Sequence, residues 1–299
     1  MTMSTTNTET MTNTMTTTKA PTITVRPDTV CVSVSASAWS RIRTINHTAL
    51  ADALAAQRDT ELIQGRVCIA RSATIDKIES LLRNTRANAL MYAVRAPTLR
   101  LYLAKEGVIP RIQDIVQQGL AELRVLLQEL AEEWPAIVDS ARAPISDGGL
   151  GELFRPEWYP TKDEIVTSYG LRMDVIKVTM TTDVLEKVAK EARDELRSAF
   201  VALVQGLIER LETGQRLRSD TFDALRQFVA TFNARDVVGD SELATLVNQA
   251  KAALQIVPAK VSGKDVDMRT TVAGLLKAVE QQAVSLVTPE RSFSGTDDE

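Results

Sequence analysis

Two apolar stripes of helical period limit what this chain can become more than any other feature. Downstream of Pro110, the residues Ile112, Val116, Gly119, Leu123, Leu126, Leu130, Trp134, Ile137 and Ala141 recur at a mean step close to the roughly 3.6 residues of a helical turn. Leu185, Val188, Ala192, Leu196, Phe200, Leu203, Leu207 and Leu211 do the same further on. Pro110 suits a first helical turn, where its missing N–H costs nothing, and Pro135 predicts a kink or short break near Trp134. Thr182 or Asp183 is placed to cap the second helix, and Gly214 to stop it. The stripes therefore predict helices over 110–142 and 182–213, each about 45 Å long at a rise of about 1.5 Å per residue. Burying one such side chain is worth about 1.5–3 kcal/mol, so neither stripe stays in water. The simplest solution is mutual burial. On this ground the chain is read as mainly α: an elongated helical bundle built on a long antiparallel coiled-coil-like helix pair.

The β signal is smaller. In "DTVCVSVSASAW" the residues Val30, Val32, Val34 and Ala36 alternate with small or polar ones, the period-two pattern of a half-buried strand. "LRMDVIKVTM" alternates again through Leu171, Met173 and Val175, then through Ile176, Val178 and Met180. A lone strand leaves its backbone unpaired, so the two are expected to pair as a small two-stranded β element. Shorter helices are read over 47–59 ("HTALADALAAQRD") and over about 72–94, where Ile75, Ile78, Leu82, Ala89 and Ala93 share a face. Thr161 and Glu164 have capping-box spacing ahead of Ile165, Val166 and Tyr169, with Gly170 to end that helix. Further helices follow Ser219, Asp240 and Asp265. Residues 1–21 are Thr-rich, with too few apolar side chains to offset ordering, and residues 288–299 are polar and acidic. Both are expected to be disordered, leaving a single helical domain over 22–287.

Residues able to carry chemistry are sparse. The one histidine, His47, has no sequence partner for a nucleophile triad, and two cysteines, Cys31 and Cys68, are too few for a disulfide framework. No C-x-x-C or H-x-x-x-H spacing exists to hold a transition metal. "VSGKDVD" contains Gly263 and Lys264 without the upstream glycine of a phosphate-binding loop, and Asp265 stands where a Ser or Thr would hold magnesium. "DGGLGELF" follows a loop rather than a strand. The carboxylate pairs Glu132/Glu133 and Asp163/Glu164 fall on a polar face and in a helix first turn, settings that do not lift a carboxyl pKa. No catalytic residue, cofactor or metal is expected. With 35 basic against 39 acidic side chains and a net charge of −4, the composition argues against a constitutive nucleic-acid or membrane binder. The first residues lack the basic cluster and apolar centre of a signal peptide, and no apolar run nears the roughly 20 residues of a membrane span. A cytoplasmic location is expected.

Aromatic residues make up 4% of the chain, yet Phe154, Trp158 and Tyr159 crowd into "LFRPEWYPTKDE" with Pro156 and Pro160. The prolines stiffen the backbone and the rings offer large apolar area. The preferred reading is a packed corner over the end of a helix pair. The alternative is a partner contact through Phe154, Trp158 and Tyr159, since Trp and Tyr are common interface anchors.

The longer run "LFRPEWYPTKDEIVTSYGLRMDVIKV" resembles the signature of a helical domain-of-unknown-function family of tailed phages and proteobacteria, in which an aromatic, proline-rich corner precedes a short strand. "VSVSASAW" is similar to that family's N-terminal strand ending in Trp. "GQRLRSDTFDALRQFVATFNARDVVGDSEL" is similar to a helix–turn segment followed by an Asn and a D-x-E-L. The resemblance covers about residues 28–255, and "YGLRMDV" departs from it in lacking the usual phenylalanines. Its motifs are structural rather than catalytic. Members are often encoded near MoxR-like AAA+ ATPases and von Willebrand A-domain proteins. The resemblance thus implies a non-catalytic, phage-associated adaptor or scaffold accessory to such an ATPase, with self-association open to it. The alternative is a nucleic-acid-associated phage replication or recombination factor.

Overall fold

Alternation along Thr29–Ser37 produces a strand with two different faces, and the rest of the fold is arranged around it. The computed structural model describes residues 25–45, 65–144, 147, 149–177, 181–213, 219–257 and 266–287. The stretch 1–21, the helix expected over 47–59 with His47, the Gly263–Lys264 pair and the stretch 288–299 lie outside the described residues. In chain order the elements are β1 (Thr29–Ser37), β2 (Ile42–Ile45), β3 (Gly65–Cys68), α1 (Ala73–Leu90), β4 (Val94–Ala96), β5 (Leu101–Lys105) and α2 (Ile109–Arg142). There follow α3 (Lys162–Ser168), β6 (Gly170–Ile176), α4 (Thr182–Glu212), α5 (Asp223–Arg235), α6 (Ser241–Gln255) and α7 (Val266–Val287).

Four strands form one antiparallel sheet in the order β4-β5-β1-β6, and β2 pairs with β3 separately. The expected pairing of β1 with β6 is present, running from Cys31 opposite Ile176 to Ser37 opposite Gly170. Pro97 and the left-handed Arg100 (φ 55°) shape the turn between β4 and β5.

Each face of the sheet meets a different set of helices. Val30, Val32, Val34, Ala104 and Leu171 join a core with the apolar sides of α1, α2 and α3. Cys31, Val94, Ala96 and Leu103 join a second core with α4, α5, α6 and α7. The second layer packs on β4 and β5. Towards β6 the same face carries Ser33, Ser35, Arg172 and Asp174, all exposed or half-buried. This is the inward-apolar, outward-polar alternation of an antiparallel sheet that is covered on one side at that end.

The two long helices form over the expected residues but are not each other's partners. The α2 stripe packs on α1 and β6, and the α4 stripe packs on α7 and β4. The sheet stands between them. The elongated bundle with a coiled-coil-like pair and a two-stranded β element is therefore incorrect; the fold is a mixed α/β arrangement of helices on both sides of a four-stranded sheet. The reason is physical. A sheet with apolar side chains on both faces must be covered twice, and each stripe gains as much from a sheet face and a neighbouring helix as from the other stripe. β4 and β5, with three and five residues, are too short for a period-two pattern to register.

Smaller corrections concern phase and ends. α2 runs unbroken through Pro135, and its buried residue in the fifth position of the stripe is Leu127, not Leu126. The helix expected over 72–94 stops at Leu90, and Ala93, buried in the first core, lies beyond it. Ser72 caps that helix, its side chain accepting from the N–H groups of Thr74 and Ile75.

Candidate functional site

The aromatic corner follows the C-terminus of α2. There the N–H of Leu150 donates to the carbonyl of Ala141 (2.8 Å) and that of Gly151 to Ala143 (2.9 Å), which satisfies carbonyls that the helix itself cannot. Pro156–Trp158 forms one 3-10 turn, its cap closed by Tyr159 N–H to the Pro156 carbonyl at 3.0 Å. The capping box expected at Thr161 and Glu164 is complete. The Thr161 N–H and hydroxyl both bond the Glu164 carboxylate, and these bonds hold its pKa below the ordinary carboxylate value.

Internal bonds lock the rings. The Tyr159 hydroxyl donates to the Ile69 carbonyl at 2.6 Å, and burial pushes its pKa up to about 12. The Trp134 indole donates to the Pro160 carbonyl at 2.9 Å. Phe154 stacks on Tyr159 with centroids 5.0 Å apart, and Trp39 meets Trp134 edge-on at 5.3 Å. Arg142 lies over Phe154 and Arg43 over Trp39, at 5.3 and 5.7 Å from the ring centroids. Phe154, Trp158 and Tyr159 pack together against Ile69, Ala141, Leu150 and Leu153, yet each stays half-buried rather than buried. The indole N–H of Trp158 has no hydrogen-bond partner among the described residues. Beside them opens a cavity of about 210 Å³ lined by Ile69, Ile137, Ala141, Leu150 and Leu153, with Cys68, Arg71 and Ser140 as its polar members.

The three residues singled out from sequence thus converge on one spot. The other chemistry-bearing residues are spread out. Cys31 is buried in the second core, where burial raises its pKa, and Cys68 donates to the Ala70 carbonyl at 3.2 Å; both are free thiols. Glu133 sits at the N-terminus of α1 and accepts from the hydroxyls of Ser72 (3.3 Å) and Thr74 (3.0 Å), a placement that helix dipole and hydrogen bonding both favour. Among the described residues no group of three or more His, Cys, Asp and Glu side chains could hold a metal ion. No helix among them is long and apolar enough to cross a membrane.

One cluster escaped sequence reasoning. Arg197, buried in α4, makes a two-pronged pair with Asp240 (Nε to Oδ2 2.6 Å, Nη2 to Oδ1 2.9 Å). It also reaches Glu242 at 2.6 Å and the carbonyl of Leu286 at 3.0 Å. Asp240 in turn caps α6 through the Leu243 N–H. Burial opposes its charge, but the Arg197 guanidinium and that N–H outweigh burial and hold the carboxyl below its usual pKa. The missed signal was helical phase: Phe200, Val204 and Ile208, at i+3, i+7 and i+11 from Arg197, are all buried. An arginine on that face needs a buried partner.

No family model, curated protein or solved structure matches the chain. Two stretches singled out in the sequence have physical jobs here: the corner locks the end of α2, and Asp240 and Glu242 both take the Arg197 guanidinium.

Proposed function

We propose that the chain is a non-catalytic adaptor or scaffold that holds a protein partner at the aromatic corner. The observation that supports this most is the state of Phe154, Trp158 and Tyr159. Phe154 and Tyr159 are held by their stack and the Tyr159 hydroxyl bond, Trp158 sits in the 3-10 turn between them, and all three remain partly open to solvent next to a cavity. Rings fixed before binding lose little entropy when a partner arrives, and Trp and Tyr anchors supply most of the energy of many interfaces. The motif resemblance suggests the partner, a MoxR-like AAA+ ATPase of a phage or proteobacterial system.

The test is titration calorimetry of the full chain against a MoxR-like AAA+ ATPase. Trp158→Ala should weaken binding by about 30-fold, the scale of an interface hot spot of about 2 kcal/mol. Val125→Ala, at an exposed site on α2, should leave it unchanged. Equal affinities for the wild type and Trp158→Ala would make the corner packing alone. Salt-sensitive binding to single-stranded DNA without ATPase binding would instead support the nucleic-acid reading.

A further inference from the structure

The sheet has two edges, and they differ. β4 is three residues long, runs straight into Pro97 and is packed on by α4. It offers almost no ladder to another strand. β6 is seven residues long, contains no proline, and ends on Val175 and Ile176, each 42% exposed. Among the described residues no strand pairs with its outer side, so roughly half of its N–H and C=O groups face a vacant ladder. Leu171, Met173 and Val175 turn to the α2 side, where with Val116, Gln117 and Leu120 they line a groove of about 170 Å³ along this edge. Arg172 and Asp174 turn to the opposite side and pair with each other at 2.8 Å.

We propose that β6 pairs with β6 of a second copy of this chain, antiparallel about Met173, joining two sheets into one. The strand is self-complementary in that register. Pairing about Met173 sets Leu171 opposite Val175 and Arg172 opposite Asp174 of the second copy, each twice across a two-fold axis. A shift that keeps the faces aligned moves the centre to Arg172 or to Asp174. Either shift sets like charges directly opposite each other, which is destabilising where the Met173 register is favourable. The charge pattern therefore selects one register, and the seam covers Met173, Val175 and the groove beside α2.

Sedimentation velocity of the full chain, over a series from micromolar to near-millimolar, tests this. A reversible monomer–dimer equilibrium is expected. Arg172→Asp and Asp174→Arg each place like charges opposite across the seam and should weaken the dimer by about tenfold or more. The double variant restores opposite charges and should return to within about threefold of the wild type. Trp158→Ala should leave the dimer unchanged, which separates this result from the fate of the aromatic corner. Should a single variant fold poorly, hydrogen exchange of the wild type still decides: β6 amides must gain protection as concentration rises. A chain that stays monomeric throughout leaves the edge to a strand of another protein and overturns the proposal. So does a dimer that both single variants leave unchanged.

Discussion

A single guanidinium, that of Arg197, ties the middle of α4 to the start of α6 and the end of α7. Removing it strands Asp240, which has a side-chain exposure of 2%, without its countercharge. Breaking one partner of a buried pair costs about 3–5 kcal/mol, so Arg197→Ala should lower the urea midpoint accordingly. The pH dependence follows from the sign of the Asp240 shift. Its carboxyl titrates below the ordinary value in the folded chain, so its contribution is complete above the unfolded pKa of about 3.9 and is lost as pH falls through the folded value. Without Arg197 that acid-labile contribution is absent. The stability gap between wild type and Arg197→Ala should therefore narrow as pH drops below about 4. A gap that stays constant there would assign the loss to packing instead. Tyr159, half-buried, and Tyr169, buried, show how differently one residue type can be settled. Tyr159 has its hydroxyl bonded to Ile69, whereas the Tyr169 hydroxyl is buried without a hydrogen-bond partner among the described residues. Nothing in the local sequence distinguishes them, because the deciding carbonyl lies 90 positions away.

The contact between α1 and α2 shows how elements of this fold approach one another. Gly119 lies in the α2 stripe, and a Cβ there would come within 2.5 Å of Thr85 Cγ2 and 2.6 Å of its Oγ1. Gly to Ala inside a helix ordinarily gains about 1 kcal/mol. Forcing extra volume into a packed crossing costs about 1–3 kcal/mol, and contacts this short put the cost in the upper half of that range. Gly119→Ala should thus destabilise by about 1–2 kcal/mol, seen as a lower urea midpoint with an unchanged slope. Adding Thr85→Ala removes both of the closest atoms and should recover part of the loss. A stabilised single variant would mean that α1 can move aside. The stripe itself placed Gly119 on the apolar face; that a second helix rests against it there is a property of the pair. The capping box at Thr161 and the caps at Ser72 and Asp240 are the opposite case, since each is complete within four residues of chain.

On the scale of the whole molecule, one sheet serves two cores. Leu103 and Ala104 are consecutive residues of β5 and belong to different cores, as do Cys31 and Val32 in β1. Neither helical layer can come away without exposing a face of strands that the other layer also needs. The three tryptophans, Trp39, Trp134 and Trp158, all pack with the α2 side of the molecule, whereas helix is present in both layers. In urea, tryptophan fluorescence and far-ultraviolet circular dichroism should therefore give coincident unfolding curves. A fluorescence midpoint displaced from the dichroism midpoint would mean that the layers unfold separately.

Legibility in the sequence divides along the same line. The spans of α2 and α4, the β1–β6 pairing and the convergence of Phe154, Trp158 and Tyr159 could be read from period and composition, although α4 is preceded by Thr181 rather than capped by Thr182 or Asp183. Those are local properties, set by sterics and hydrogen bonds among residues a few positions apart. Which stripe packs on which surface, the order β4-β5-β1-β6, and the partners of Arg197 were decided only by the tertiary structure. Burial of apolar surface is non-directional, so a stripe is satisfied by any matching apolar face. The choice among such faces rests on contacts between distant residues, such as Arg197 and Asp240, which are 43 positions apart.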